Sequence, residues 1–354
     1  MANSPLSAVP AAPPATQGQA NLVAWLVARV DLLLRLGLLG IILIAAAIFT
    51  VKTIPSGHLS DIGQATFISG GNLQDIARQM AVVGVISIGE TFVIITAGID
   101  LSVGSLIGIA GVLTANAFLN GWSLPATVVA ILLFSLGVGL VNGFLVSAAK
   151  LPPFIVTLGM LGILRGVAYL AGGGLNSALP SDGGGGAFVT WVTGTPLGIP
   201  TIFIVLVIIG VVAAIFLRFT RRGRYIYALG SNPEAVRLSG INVRASLLTV
   251  YALSGVLAGV AGLLLTGRLN GANPNAGTSY ELDAIAAAVL GGASLFGARG
   301  TIFGTFLGVV LVNVLANGID LIGLDAHVQQ VVEGLLLILI VWIDQWRKRR
   351  IASA

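Results

Sequence analysis

Residues 124–147 read LPATVVAILLFSLGVGLVNGFLVS and contain no charged side chain. A membrane-spanning helix needs roughly 20 consecutive apolar residues, and this stretch exceeds that length. Its glycines suit such a helix, because small residues let neighbouring spans approach closely. The stretch therefore predicts a transmembrane helix, and much of the chain around it has the same character.

The chain as a whole is too apolar for a water-soluble fold. Of its 354 residues 56% are hydrophobic and 9% are charged, and the mean hydropathy is +1.01; a soluble domain carries about 25% charged residues. The apolar runs are continuous rather than alternating, and 48 residues are glycine, which favours packed helices over a β-barrel. The predicted fold class is all-α, a polytopic membrane protein.

Apolar runs between breaking residues predict about ten transmembrane helices. They lie near residues 33–51, 77–96, 101–119, 124–147, 154–171, 200–219, 246–266, 282–297, 301–319 and 328–344. The runs at 154–171 and 282–297 are short and broken by glycine. Such spans are typical of helices beside a transport pathway, although a tilted span gives the same pattern.

Basic residues set the orientation of these spans. Lys and Arg concentrate in the loop 218–244 and near the C-terminus, and cytoplasmic loops carry an excess of both. With ten spans and both termini cytoplasmic, every basic residue falls inside except Lys52, Arg78, Arg268 and the intramembrane Arg165. Membrane orientation thus accounts for the net charge of +5 without nucleic-acid binding.

The ends of the chain differ in composition from its middle. Residues 1–20 are rich in Ala and Pro and lack Lys and Arg, which predicts a disordered cytoplasmic tail and excludes the charged start of a secretory signal. Residues 21–345 predict the transmembrane domain, with a cytoplasmic loop at 220–245, and residues 346–354 predict a basic cytoplasmic tail.

The basic loop encodes a helix of about two turns at 232–240. Asn232 is a good N-cap, and Pro233 suits the first helical position. Glu234 complements the positive end of the helix dipole, and Gly240 can end the helix in a left-handed conformation. Such a helix either docks a soluble partner or anchors the adjacent spans. The predicted docking residues are Asn232, Pro233, Glu234, Ala235, Arg237, Leu238 and Gly240.

Four segments resemble the ribose/xylose-type permeases of ATP-binding-cassette (ABC) importers. They are Glu90–Gly104 (ETFVIITAGIDLSVG), Leu151–Arg165 (LPPFIVTLGMLGILR), Gly223–Asn242 (GRYIYALGSNPEAVRLSGIN) and Tyr280–Gly300 (YELDAIAAAVLGGASLFGARG). They follow in order and at the expected spacing, so the resemblance covers the chain from about residue 70 to 345.

This resemblance implies a transport subunit of the bacterial inner membrane and not an enzyme. Such permeases pair as homodimers or pseudo-dimers of ten-span subunits, with a cytoplasmic ABC ATPase and a periplasmic sugar-binding protein. The implied cargo is ribose or a similar monosaccharide, moved from periplasm to cytoplasm by the permease domain, residues 21–345. The docking residues at 232–240 would then couple to the ATPase.

Two expectations concern the partners. The sequence contains no phosphate-binding G-x-x-x-x-G-K-[ST] segment, so ATP is expected on the partner ATPase, with no cofactor on this chain. Because a soluble protein would capture the sugar, cargo specificity is expected to lie mainly outside this chain.

Three charged residues, Glu90, Arg165 and Glu333, lie well inside predicted spans, away from the span ends. Such residues cost a few kcal/mol to insert and usually face protein or water. Arg165 needs a partner or a water-filled cavity, and Glu90 and Glu333 are both candidates. Glu90 could bond a sugar hydroxyl, carry a proton or simply join helices. Asp100, at the start of the third span, is interpreted as a cap.

Four uncharged side chains are candidates for a sugar path: Thr91, Phe92, Asn142 and Asn313. Neutral sugars are bound by amides and hydroxyls against an apolar wall. The same groups also join helices by hydrogen bonds worth about 0.6 kcal/mol each. The sequence leaves both roles open.

The main alternative is an ion- or proton-coupled secondary transporter of a small polar solute. It would use Glu90, Arg165 and Glu333 as a relay and would need no ATPase. An intramembrane enzyme is disfavoured, because the sequence has no cysteine, no His-Glu metal motif and no plausible pair of aspartates in facing spans. No catalytic residue and no metal ligand is predicted.

Overall fold

A computed structural model gives the fold of the chain. It describes residues 36–174 and 176–325 and, beyond these, residues 327, 328, 330–332, 334, 335, 338, 339, 341, 342 and 345. The predicted tails, 1–20 and 346–354, lie outside the described residues. The chain divides into residues 1–37 and 38–354, and the packing reported below lies within the second unit.

Helices make up nearly all of the described structure. In chain order they are α1 (Leu36–Lys52), α2 (Gly70–Ile95), α3 (Ser102–Leu119), α4 (Leu124–Ser147), α5 (Pro153–Gly172), α6 (Gly183–Thr193), α7 (Thr201–Phe219), α8 (Arg221–Ser231), α9 (Pro233–Leu238), α10 (Val243–Leu269), α11 (Tyr280–Leu290) and α12 (Ile302–Leu321). Short 3-10 helices lie at Leu59–Gln64, Thr66–Ile68 and Pro196–Gly198. The strands β1 (Ser177–Ala178) and β2 (Gly271–Ala272) pair antiparallel.

Seven helices in the described part of the chain are long and apolar enough to cross a membrane: α2, α3, α4, α5, α7, α10 and α12. This finding confirms the prediction of an all-α polytopic membrane protein. Residues 327–345, which contain most of the last predicted span, are helical wherever the structure describes them.

Short polar residues and prolines define the helix starts. The hydroxyl of Ser69 accepts a hydrogen bond from the Asn72 backbone N–H ahead of α2, and Thr301 does the same for Gly304 ahead of α12, at 3.0 Å. Each satisfies one of the donors that a helix leaves free in its first turn. Proline lies in the first turn of α4 and α5, where its missing N–H costs nothing.

Burial separates the helices into a centre and a periphery. In α2, 89% of the most apolar 18-residue stretch is buried, against 22% in both α5 and α7. Large apolar side chains such as Leu133, Leu170 and Val212 are exposed on the outer helices. This surface suits contact with hydrocarbon, so α2 is a central helix and α4, α5 and α7 present apolar faces outward.

The helices α4 and α10 pack through glycine. A Cβ at Gly143 would lie 3.0 Å from the Cα of Leu248, and one at Gly255 would lie 2.5 Å from the Ser135 carbonyl oxygen. Such small residues allow backbone approach, which is a main source of helix association in lipid. Larger side chains at these positions would push the two helices apart.

The helix ends fall into two groups. The α8 end consists of α8, Ile95 and the loop 291–301; here the Ala298 N–H donates to the Ile95 carbonyl at 2.9 Å. The α6 end consists of α6 and the outer turns of α2 and α12, where the amides of Asn72 and Asn317 exchange two hydrogen bonds of 2.9 Å.

Residues 270–290 form an irregular segment followed by the 11-residue helix α11, together called the broken crossing. As the chain advances from Pro274 to Gly277, its closest approach to α3 moves from Gly108 to Gly104. The segment therefore runs beside α3 toward the α8 end, and α11 continues in that direction.

The predicted helical span at 282–297 is wrong in its second half. The helix ends at Leu290, and residues 291–301 form a loop. Gly292 and Gly297 have φ of +93° and +85°, a conformation that glycine adopts without the steric cost of a Cβ. Apolar composition persists beyond Leu290, but these turns end the helix.

Candidate functional site

The helix predicted in the basic loop is confirmed as α9. The side-chain oxygen of Asn232 accepts hydrogen bonds from the Glu234 and Ala235 backbone N–H groups, at 3.1 and 3.0 Å. Pro233 occupies the first helical position, and Gly240 follows the helix with a φ of +77°. The cap, the proline and the glycine thus have the structural roles that the sequence predicts.

The outer face of α9 carries an internal ion pair and one exposed leucine. The guanidinium of Arg237 donates to the Glu234 carboxylate, with a distance of 3.0 Å from Nε to Oε2, and this bond lowers the pKa of Glu234. Leu238 is 74% exposed, whereas Val236 is buried. Val236 therefore anchors the helix, and Leu238 with the ion pair remains at the surface.

A second helix, α8, precedes α9 and was not predicted. The Thr220 hydroxyl caps it by accepting from the Gly223 N–H at 3.0 Å. Ile226 and Leu229, three positions apart on one face, are buried. The threonine cap and this spacing are the sequence signals for α8. They lie in a stretch whose basic residues, Arg221, Arg222 and Arg224, indicate membrane orientation.

The helix α8 lies in direct backbone contact with the membrane helices. A Cβ at Gly230 would overlap the Ile95 carbonyl oxygen and lie 2.6 Å from the Ala298 nitrogen. The Tyr227 hydroxyl donates to the Gly300 carbonyl at 2.7 Å. These contacts pack α8 closely against the end of α2 and the loop 291–301 and leave no room for a larger side chain at Gly230.

Behind this contact, Glu90 belongs to a buried polar network. Glu90 Oε1 accepts from the Asp100 backbone N–H at 3.1 Å. The Asp100 carboxylate accepts from Ser102, consistent with its interpretation as a cap, and from Ser254 Oγ at 2.8 Å. The Asn142 amide donates to Ser102 Oγ at 2.9 Å. The network connects α2, α3, α4 and α10.

Thr91 and Phe92 also lie in contacts between helices. The hydroxyls of Thr91 and Thr305 are 2.6 Å apart, and the Phe92 ring packs edge-on against Phe216, with ring centroids 5.8 Å apart. Thr91 is fully buried, and Phe92 is 2% exposed. In this conformation both side chains join α2 to its neighbours.

Arg165 is held by backbone carbonyls of the broken crossing. Its Nη1 donates to Pro274 O at 2.6 Å and to Ala276 O at 3.0 Å. Among the described residues no ion pair joins it to Glu90, while Glu333 lies outside them. Glu90, one of the two candidate partners of Arg165, is therefore not its partner in this structure. Arg165 instead bonds backbone carbonyls of the broken crossing, which belong to residues distant in sequence.

A cavity of about 300 Å³ opens between α2, α10, α12 and the broken crossing. Four amide side chains line it: Gln79, Asn273, Asn275 and Asn313. The lining also includes Arg268, Tyr280 and Asp283, together with apolar side chains such as Val83, Leu265 and Val312. Of the four predicted path residues, the structure places Asn313 at this cavity.

The other cavity residues were missed because they come from separate segments. Arg268 ends the long helix α10, and Asn273 and Asn275 follow in the irregular chain. A signal was present in the sequence: amides clustered after an apolar span and ahead of a short one. Among the described residues, no group of three or more acidic or histidine side chains is arranged to hold a metal ion.

A family model for the permease component of branched-chain amino acid transport systems matches residues 72–341. The ribose import permease protein RbsC of Escherichia coli (strain K12) is 41% identical over 280 residues, covering 78% of this chain and 87% of its own length. RbsC of Bacillus subtilis (strain 168) is 38% identical, covering 79% and 86%. The xylose transport system permease protein XylH of Haemophilus influenzae (strain Rd) is 34% identical, covering 80% and 91%.

No solved structure has significant similarity to the chain. The family match covers most of the sequence, and the relatives extend over nearly the same length. The relatives are permeases of transport systems and not enzymes. The chain therefore belongs to the family of permease components of branched-chain amino acid transport systems.

Proposed function

We propose that this chain is the membrane-spanning permease subunit of an ABC importer that moves a monosaccharide, ribose or a similar sugar, into the cytoplasm. Support comes from the ribose and xylose permeases that resemble it over most of their length. The observation that carries the assignment is the α8–α9 pair. The helix α9 has an exposed face, and α8 packs closely against the membrane helices.

The proposed topology has ten crossings with both termini in the cytoplasm. The seven long helices, α1, the broken crossing and the segment 327–345 together supply ten. The α8 end faces the cytoplasm, since the basic loop lies there. Residues 21–345 then form the permease domain, with the coupling loop at 220–245 and cytoplasmic tails at 1–20 and 346–354.

The proposed partners meet the two faces of the bacterial inner membrane. A cytoplasmic ABC ATPase docks on α9, contacting Glu234, Ala235, Arg237 and Leu238, while Asn232, Pro233 and Gly240 set its geometry. A periplasmic sugar-binding protein delivers cargo at the α6 end. The permease pairs with a second permease subunit, and ATP binds to the ATPase, so this chain needs no cofactor of its own.

The proposed coupling depends on the close contact of α8 with the end of α2 and the loop 291–301. Closure of the ATPase moves α9, and α8 passes the movement to the end of α2 and to the loop 291–301, because it packs closely against both. The ATPase shifts the permease between outward- and inward-open states only if it binds the two states differently. The displacement of α9 provides that difference.

A charge exchange on α9 tests the coupling. In Glu234→Arg combined with Arg237→Glu the two side chains can still pair, so the helix remains stable while its surface charges are reversed. We expect ATP-driven uptake in proteoliposomes to be lost, with normal membrane insertion. Full uptake by the double variant would contradict the coupling assignment.

The same assay distinguishes the alternative, a secondary transporter of a small polar solute. Uptake by the importer requires the ATPase and ATP and persists when an ionophore collapses the ion gradients. Uptake that ignores ATP and stops with the ionophore would instead support a relay through Glu90, Arg165 and Glu333. In the described structure Glu90 bonds the Asp100 N–H and Arg165 bonds the carbonyls of the broken crossing, which argues against that relay.

A further inference from the structure

The cavity beside the broken crossing differs from the other buried polar sites of this chain. Within the described residues, the side chains of Gln79, Arg268, Asn275 and Tyr280 form no hydrogen bond with protein. Asn313 uses its amide N–H₂ group on the Val309 carbonyl, at 2.8 Å. Hydrogen-bonding capacity is thus concentrated where there is also open space.

The polar residues predicted from sequence elsewhere in the membrane show the opposite arrangement. Asn142 donates to Ser102, and Thr91 is bonded to Thr305 and to the Ser87 carbonyl. These contacts join helices, and the one oxygen among them without a partner in the described structure, Asn142 Oδ1, is buried and does not line the cavity. The comparison separates structural polar groups from those available to a solute.

The charge of the cavity lining is balanced. It contains one cation, Arg268, and one carboxylate, Asp283. Two charged residues outside the lining act on Arg268 in opposite directions, Asp75 favourably and Arg78 unfavourably. Without an excess of either charge, the lining suits an electrically neutral solute better than a phosphate or a cation.

The remaining lining chemistry fits a polyhydroxylated molecule. Carboxamides supply donors and acceptors in pairs, which suits hydroxyl groups that also donate and accept. Tyr280, Val83 and Val312 add aromatic and apolar surface against which a sugar ring can lie. A volume of about 300 Å³ is at the lower end of the range for small-molecule sites, roughly 300–1,000 Å³.

The walls of the cavity are fixed by contacts outside it. Arg165 holds the Pro274 and Ala276 carbonyls, and the close approach to Gly108 leaves 2.9 Å between a Cβ there and Pro274 O. Interrupted helices in transporters characteristically surround the substrate. The amides Asn273 and Asn275 are therefore held in place before a solute arrives, which lowers the entropic cost of binding.

We propose that this cavity is a binding site within the permease for a neutral polyhydroxylated solute of pentose size, held by Gln79, Asn273, Asn275 and Asn313. The inference rests on the proposed function and extends it. It also revises the expectation that cargo specificity lies mainly outside this chain, because the permease would select among sugars after the binding protein has delivered them.

The test uses the full permease in proteoliposomes with its ATPase and sugar-binding protein, supplied with D-ribose and D-xylose together. Gln79→Leu and Asn313→Leu remove amide groups at nearly constant volume. We expect each to lower sugar uptake about fivefold, as for loss of a neutral hydrogen bond, and to change the ratio of the two sugars. Gln74→Leu is the matched control: it lies on the same helix, and its amide bonds Gly198 O instead. It should leave the ratio of the two sugars at the wild-type value, whatever its effect on delivery at the α6 end.

The change in ratio is the critical readout, because the binding protein is the same in every sample. Unchanged uptake and ratio in both variants, with active wild type, would overturn the site and leave the proposed function intact. If a leucine variant fails to insert, Gln79→Glu keeps the side-chain size while removing the amide donor, and the same loss is expected. Wild-type protein that imports L-leucine but neither sugar would overturn the site and the proposed function together.

Discussion

The α8 end and the cavity beside the broken crossing are built in opposite ways. At the α8 end, backbone meets backbone, and Gly230 has no room for a methyl group against Ile95 and Ala298. At the cavity, several polar side chains line open space and have no hydrogen-bond partner among the residues that the structure describes. The first arrangement suits the proposed transmission of a displacement, and the second suits the proposed binding of a solute.

This difference separates two tasks that a transport subunit must perform. Coupling needs a contact with a single geometry, and close glycine packing provides one. Passage of cargo needs contacts that can form and break, so a tightly bonded network such as Glu90–Asp100–Ser102 would be unsuitable there. The next three predictions test this division, beginning with the largest expected effect.

Gly230→Ala should have the largest effect. The added Cβ overlaps backbone atoms of Ile95 and Ala298, which cannot rotate away as a side chain can. Overpacking costs about 1–3 kcal/mol, so we expect ATP-driven uptake to fall about 100-fold. Gly162→Ala is the control, because nothing lies within 4 Å of its Cβ position. Equal uptake by the two variants would show that the α8 contact is not rigid.

Arg165→Met should have an intermediate effect. It removes two charge-assisted hydrogen bonds from the broken crossing and leaves a shorter, unbranched apolar side chain. Loss of such bonds costs about 2 kcal/mol, and we expect uptake to fall about 30-fold with a lower melting temperature. Arg165→Lys should recover part of both quantities. A methionine variant as active and as stable as the wild type would exclude a positioning role for Arg165.

Glu234→Gln should have the smallest effect, less than about twofold on uptake, because the Glu234–Arg237 pair is exposed. The hydrogen bond from Arg237 lowers the pKa of Glu234. The pair therefore contributes fully at neutral pH, and its contribution is lost only as the pH falls through that lowered pKa. Helix content of α9 in the wild type should decline on acidification, and the glutamine variant should lack this decline. A loss on alkalinisation would contradict the assigned sign.

Local signals in the sequence predicted the local structure well. The apolar stretch 124–147 predicted α4 with the same bounds, and Asn232, Pro233 and Gly240 predicted α9. These features depend on residues close to one another in the sequence, so a short stretch of sequence is enough to predict them.

Contacts between distant segments could not be predicted in the same way. Arg165 meets carbonyl groups more than a hundred positions away, and every residue has a carbonyl, so no side chain marks this partner. The cavity likewise combines Gln79, Asn275 and Asn313 from three segments. Composition predicted that amides would matter, but the way the chain folds back determines which amides face a common space.

The reciprocal amide pair of Asn72 and Asn317 gives the α6 end an unusual chemical independence. Each side chain donates one hydrogen bond and accepts one, and neither group titrates in the ordinary pH range or carries a charge that salt can screen. In the proposed topology this end faces away from the cytoplasm, on the side where acidity and ionic strength vary with the surroundings. A pair of amides keeps the same strength throughout, so the contact between α2 and α12 does not depend on pH or salt.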